Sequence, residues 1–225
     1  MNAQGKRSGE TAREYAYRMI REQVISLELK PGEAFNDMEF AAKIGVSRTP
    51  VREAVIQLSE ESRIIEIFPQ RGMRIALIDV ELVEEARSLR VLLEKQIAGM
   101  CCEMATEEDI KWLQENVGLQ EFYMENSRPE MVMQLDDEMH HKLFMICHRE
   151  LTYGMCQKLA IHYDRIRSLS VNTVKDNTII EDHRKIIQFI AEHKKENAMA
   201  QMEKHLSRWQ LNEGKFRQEF PDYFK

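Results

Sequence analysis

Proline and glycine are scarce, with five and nine residues in a chain of 225. Long helices with few turns therefore suit most of it. Cysteine is scarcer still: the four residues stand at 101, 102, 147 and 156, two of them adjacent and none in a CxxC pair. That excludes a disulfide framework and makes reduced, cytosolic thiols the expectation. No apolar run approaches the ~18–20 residues of a membrane span. The opening MNAQGKRSGE has no apolar stretch that could act as a secretory signal. Positive charge is not in excess either: 32 Lys+Arg stand against 38 Asp+Glu, a net of −6. A uniformly basic nucleic-acid coat is excluded, whereas a locally basic face is not. What is present, 43% hydrophobic and 31% charged residues, is a globular balance sized for one large domain or two small ones.

Charge and punctuation divide the chain. Residues 1–78 hold 12 basic and 11 acidic residues, and the remainder 20 and 27. Four of the five prolines precede residue 130. A near-neutral module over 1–78 followed by an acidic helical domain over 79–225 is the expected organisation. In the first module, Tyr15, Met19, Ile20, Ile25 and Leu27 recur at helical steps from Thr11, and Lys30-Pro31-Gly32 stops them. The segment Met38 to Ile44 ends at Gly45, a helix C-terminal signal. Ser47 opens a further helix with Val51, Ala54, Val55 and Leu58 on one face, and Pro50 falls in its first turns, where a missing N–H is tolerated. Ile64–Phe68 and Met73–Leu77 flank Pro69-Gln70-Arg71-Gly72 and predict a two-stranded hairpin.

Helix, Gly-Val turn, helix and hairpin outline a winged helix-turn-helix. Ser47, Arg48, Thr49 and Arg52 cluster at the start of the second helix, the end that enters a major groove. Hydroxyls and helix N-terminal amides suit phosphates, and arginine suits the guanine edge. Arg71 and Gly72 fall at the hairpin tip, where glycine permits close approach and arginine can probe a minor groove. A surface helix with solvated arginines has the same spacing.

In the second domain, Asp136/His140 and Asp137/His141 are each four apart and so each share a helix face. The apolar stripe Val132, Leu135, Met139, Leu143 and Ile146 chooses between them, because Asp136 and His140 flank it and the other pair falls on the solvated side. His183 lies among Ile179, Ile180, Ile186, Ile187 and Ile190; His205 shares a face with Ala198, Met202, Leu206 and Trp209. On one continuous helix these histidines would stand about 33 Å apart. The polar stretch Glu192 to Asn197 offers a turn whose middle, Lys194, is eleven residues from each histidine. A helical hairpin would bring them level. Three histidines and a carboxylate suit Zn²⁺, Ni²⁺, Mn²⁺ or Fe²⁺, and ligand type alone does not choose. Leu82, Ala86, Leu89, Leu93, Ile97 and Met100 mark the inward face of the domain's first helix, with Arg90 on its flank. An inward guanidinium there could hold a carboxylate, with Tyr163 and Arg167 as further candidates for the same pocket. Glu94 completes an Arg-x-x-Leu-Glu pattern from Arg90.

The run AAKIGVSRTPVREAVIQL with the later PQRG resembles the DNA-binding signature of GntR-type transcriptional regulators. LDDEMHHKL, Glu181-Asp182-His183 and His205 resemble the FCD effector domain of the FadR subfamily, in its six-helix, metal-binding form. The resemblance implies a winged helix-turn-helix followed by an all-α bundle. DNA contacts would fall at Ser47, Arg48, Thr49, Arg52, Arg71 and Gly72, and a divalent transition metal would sit on Asp136, His140, His183 and His205. It further implies a homodimer on a double-stranded operator. Ser62 departs from the family, standing where a glycine often ends the recognition helix. Met38 departs where some members have arginine, and Cys147-His148-Arg149 where a small-Gly-Asn turn is frequent.

The leading expectation is a cytoplasmic repressor whose operator affinity is altered by a small carboxylate bound at or near the metal through Arg90, Tyr163 and Arg167. The alternative makes the metal itself the signal. A metal-dependent hydrolase is more remote, because no carboxylate stands out as an inward general base.

Overall fold

The computed structural model describes residues 5–173, 178–211 and 213–225. The described residues form ten α-helices, two short 3-10 turns and one small sheet. They divide into two compact units: the first runs to Val80 and takes in Phe220–Lys225, and the second is Glu81–Glu219.

The first unit is built on α1 (Ala12–Ile25), α2 (Asp37–Ile44) and α3 (Arg48–Ser62). Thr11 starts α1 with a capping box: its hydroxyl accepts from the Glu14 amide at 3.2 Å, and the Glu14 carboxylate accepts from the Thr11 amide at 2.8 Å. Two orphan amides are thereby satisfied. The helix ends at Ile25, so Leu27, expected on its face, lies beyond it in the left-handed region at φ 63°. The Asn36 side chain caps α2, and Gly45 closes that helix at φ 72°. Ile20, Val24, Val51, Ala54, Val55 and Leu58 are fully enclosed between α1 and α3. At the end of α3, Ser62 does not take the left-handed turn. Its hydroxyl donates back to the Leu58 carbonyl at 2.9 Å, and Arg63 adopts φ 55° instead.

The hairpin is present as β2 (Ile65–Phe68) and β3 (Gly72–Ile75), but the sheet has a third strand. The two-residue β1 (Ala34–Phe35) pairs antiparallel with β3, giving the order β1-β3-β2. A strand this short carries no alternation to read, and the neighbouring Pro-Gly masks it. The tail is a second difference. The sequence reading assigns residues 79–225 to the helical domain. The last residues instead pair with Ile78, whose amide donates to the Tyr223 carbonyl at 2.7 Å while its carbonyl accepts from Lys225 at 3.1 Å.

The second unit comprises α4 (Val80–Met104), α5 (Glu107–Glu125), α6 (Pro129–Ile146), α7 (Glu150–Thr173), α8 (Thr178–Ala191), α9 (Lys195–Leu206) and the short α10 (Glu213–Glu219). The expected stripe of α6 is buried throughout, from Val132 to Ile146. Helices α8 and α9 form the expected hairpin, turning over residues 192–194 with His193 at φ 55°. The Trp209 side chain lies outside the described residues.

The face of α4 is corrected. Leu82, Leu89, Leu93 and Met100 are only half-buried; the enclosed face is Val83, Ala86, Arg90, Glu94, Ile97 and Cys101. Arg90 therefore sits in the middle of the buried face, 6% exposed, not on its flank. A hydrophobic pattern scores charged residues as outward. Here Arg90 and Glu94 neutralise one another at 2.5 Å and go in together.

Candidate functional site

Two sets of residues are brought together, one in each unit. In the first unit, Ser47, Arg48, Thr49 and Arg52 are all exposed on the first turns of α3. The Ser47 hydroxyl makes no capping bond. Both arginines lean on Asp37, the buried first residue of α2. Arg48 Nε donates to one carboxylate oxygen at 2.9 Å and Arg52 Nη1 to the other at 3.3 Å. Their side chains stay 58% and 56% exposed. Asp37 thus aims two guanidinium forks side by side and leaves most of their donors outward. Sequence reasoning missed it; its position eleven residues before Arg48 carries no local signature. Arg71 lies exposed in the β2–β3 turn, and Gly72 opens β3 at φ 101°, a conformation that favours glycine. Met38 is exposed on α2.

In the second unit, Asp136 and His140 from α6, His183 from α8 and His205 from α9 place one donor atom each within 4.8 Å of one another. His205 Nε2 lies 3.3 Å from His183 Nε2 and 3.3 Å from His140 Nε2, and Asp136 Oδ1 lies 3.2 Å from His183 Nε2. Asp137 and His141 are outside the cluster. Asp137 pairs with Arg167 at 2.8 Å, and His141 stacks on Tyr153.

The surroundings set the tautomers. Gln120 Nε2 donates to Asn116 Oδ1 at 2.7 Å, and Asn116 Nδ2 donates to the Leu135 carbonyl at 3.1 Å. This leaves Gln120 Oε1 facing His183 Nδ1 at 2.8 Å, so Nδ1 carries the proton and Nε2 presents a lone pair. Glu94 Oε2 approaches His140 Nδ1 to 2.5 Å without hydrogen-bond alignment, and a carboxylate on that side favours the proton on Nδ1 there too. His205 Nε2 can donate to one of these lone pairs but not to both, and its Nδ1 is buried without a hydrogen-bond partner. A cation at the centre resolves the conflict. The 3.3 Å spacing also matches the edge of a tetrahedron drawn at the ~2.0–2.1 Å of metal–imidazole bonds.

Protonation follows the same logic. Burial, followed by the neighbouring His183 and His140, pushes His205 well below its ordinary range, and burial lowers His183. Burial works against charge on Asp136, but Arg167, His140 and His183 outweigh it and hold the carboxyl well below the usual range. Neutral imidazoles at His183 and His205 beside the ionised Asp136 are ligand forms that a divalent metal requires. For Glu94, burial is likewise outweighed by Arg90 and His140, and the carboxylate is held ionised. Glu94 is the inward carboxylate that sequence reading did not find, and it is engaged by two partners.

A cavity of about 50 Å³ opens beside the cluster, its wall including Arg90, Asp136, Tyr163, Arg167, His205 and Arg208. That space suits several waters or one compact acid. The Arg90 guanidinium lies over the Tyr163 ring at 5.4 Å, and the Tyr163 hydroxyl donates to the Leu206 carbonyl at 2.9 Å. Arg167 is more committed than expected, contacting Asp136, Asp137 and Asp164. Arg208, which sequence reasoning missed, pairs with the buried Asp182. Its signal was its place three residues after His205.

Residues 85–208, more than half of the chain, match the FCD domain, and residues 12–75 match the bacterial regulatory proteins of the gntR family. The chain belongs to the GntR family. It is 28% identical over 209 residues to the HTH-type transcriptional repressor RspR of Escherichia coli, covering 92% of this chain and 91% of that one. To the Nta operon transcriptional regulator of Aminobacter aminovorans it is 26% identical over 185 residues, 82% and 86% of the two chains. Among solved structures, Escherichia coli McbR/YncC superposes with a TM-score of 0.75 at 18% identity, covering 93% of this chain and 99% of that one. A GntR regulator from Rhodococcus sp. RHA1 gives 0.71 at 15% identity, covering 95% and 99%. The family and these relatives are transcriptional regulators, not enzymes, and GntR regulators bind DNA operators. Among the described residues no helix of this regulator is long and apolar enough to cross a membrane.

Proposed function

We propose that this regulator is a cytoplasmic repressor that binds its operator as a homodimer and changes affinity when a small carboxylate metabolite binds beside a divalent metal. The observation that carries the reading is the convergence of Asp136, His140, His183 and His205 beside a cavity whose wall includes two of them, Asp136 and His205, together with three guanidinium groups. Those four residues would hold the metal, which supplies a Lewis-acidic anchor for an anionic ligand. Arg90 and Arg208 would orient the carboxylate, and Tyr163 would shape the pocket. Arg167 would position Asp136 and add positive charge. Zn²⁺, Ni²⁺, Mn²⁺ and Fe²⁺ all accept this donor set.

Operator recognition would rest on Ser47, Arg48, Thr49 and Arg52 in the major groove and on Arg71 and Gly72 at the wing. A two-fold dimer presents two such surfaces to a pseudo-palindromic site. For the ligand to regulate, it must bind one arrangement of the dimer more tightly than the other.

A thermal-shift screen of hydroxy, keto and sugar acids, run on metal-loaded and chelator-stripped protein, tests the reading. An acid that raises the midpoint of the metal-loaded form alone supports it. A large shift from metal with nothing added by any acid favours the second reading, in which the metal is the signal. The presence of four donors within 4.8 Å of one another, enough to fill a tetrahedron without open positions, is what favours that second reading.

A further inference from the structure

Outside the metal cluster, the second unit encloses two thiols in contact. Cys101 Sγ on α4 and Cys147 Sγ at the end of α6 lie 3.5 Å apart. Each also faces a backbone carbonyl of the opposite helix, Leu143 for Cys101 and Ile97 for Cys147. Cys102 points instead toward the carbonyls of Ala98 and Phe189. The pair therefore already has its partners chosen. Forming a disulfide requires the sulfurs to close to about 2.05 Å, a movement within reach of side-chain rotation.

We propose that Cys101 and Cys147 form a reversible oxidation site that a small hydroperoxide converts to a disulfide. Cys147 is the attacking thiol. It occupies the C-cap of α6, its amide reaches Leu143 only at 3.4 Å, and the next residue, His148, is a non-glycine at φ 54°. Cys147 is enclosed, but His148 and Arg149 beside it are exposed, and local opening of the 2.9 Å amide hydrogen bonds His148–Met145 and Arg149–Phe144 that close this turn would give a peroxide access to the sulfur. The contact with Cys101 also lowers the Cys147 thiol, while the same contact and burial raise Cys101.

In the first step the Cys147 thiolate attacks the peroxide. The O–O bond breaks, a sulfenic acid forms, and the departing oxygen takes up the proton that the Cys147 thiol released, leaving as water from hydrogen peroxide or as an alcohol from an organic hydroperoxide. In the second step the Cys101 sulfur displaces the sulfenic hydroxyl, which leaves as water with the Cys101 proton. Two thiols are oxidised and one peroxide is reduced. The link would tie α4 to α6 at a defined place. Cys101 is seven residues beyond Glu94 and Cys147 seven beyond His140, so it lies two turns from the Glu94–His140 contact on both helices.

The test treats full-length, metal-loaded protein with hydrogen peroxide, caps residual thiols under denaturing conditions and maps the peptides. The expected result is a Cys101–Cys147 linked peptide with the loss of two hydrogens, restored by dithiothreitol. Cys102→Ser and Cys156→Ser should retain the link, and Cys147→Ser should abolish it. The wild-type map decides the matter even if a variant folds poorly. Oxidation confined to Cys102 or Cys156, links to either of them, or full recovery of capped Cys101 and Cys147 would overturn the proposal.

Discussion

The two units solve opposite problems with the same side chain. In the first, Arg48 and Arg52 share one buried carboxylate and stay more than half exposed. In the second, Arg90, Arg167 and Arg208 are each held by carboxylates at the margin of a cavity, with Arg90 almost wholly enclosed. Exposed arginines cost little to keep ready for a large polyanion, because water solvates them until it is displaced. Enclosed arginines need counter-charges before folding is possible. The exposed guanidinium groups and the core are therefore separable in the first unit. In the second unit they are the same residues.

That contrast can be attacked from both sides. The largest effect is expected at His183. His183→Ala removes a proposed ligand and the end of the Gln120 relay, and should lower metal affinity at least about 100-fold, measured as bound metal after dialysis. Stoichiometric retention would contradict the ligand set. Next, Glu94→Gln leaves Arg90 without its counter-charge. About 3–5 kcal/mol of stability is expected to go, read by denaturant unfolding of the full chain, together with roughly 10- to 100-fold in metal affinity. A variant as stable as wild type would mean that the buried pair does not hold the unit together.

Arg52→Ala attacks the other side. Operator affinity should fall by about 1–3 kcal/mol, or roughly 5- to 150-fold, with weaker discrimination against scrambled DNA. Stability should stay within about 0.5 kcal/mol. Fluorescence anisotropy and a melting curve on one preparation check both halves. The smallest effect belongs to Ser47→Ala. Because the hydroxyl makes no capping bond, the usual ~1 kcal/mol penalty for losing an N-cap should be absent. A several-fold loss of operator affinity is expected instead. A clear drop in melting temperature would show that the hydroxyl caps the helix after all.

Much of this was legible in the sequence, for reasons that differ by element. Helix starts and stops at Thr11, Gly45 and Ser47 are local chemistry and could be read directly. The choice of Asp136 and His140 over their neighbours followed from one apolar stripe. The level placement of His183 and His205 followed from equal distances to a polar turn. What escaped reading was non-local. Asp37 binds arginines from another helix, and Gln120 and Asn116 act through a relay between helices. Arg90 and Glu94 are buried only because each cancels the other. The strand Ala34–Phe35 pairs along the edge of β3, and the tail's pairing with Ile78 joins segments about 145 residues apart in the sequence.

The proposed function requires that a ligand couple the buried cluster to the exposed arginines. Its most direct test is operator affinity of the full-length protein, metal-loaded and chelator-stripped, titrated against a panel of small acids at fixed ionic strength. One acid is expected to change affinity by about tenfold or more, a coupling of roughly 1.4 kcal/mol, in the metal-loaded form alone. An operator affinity indifferent to every acid in both forms would contradict it.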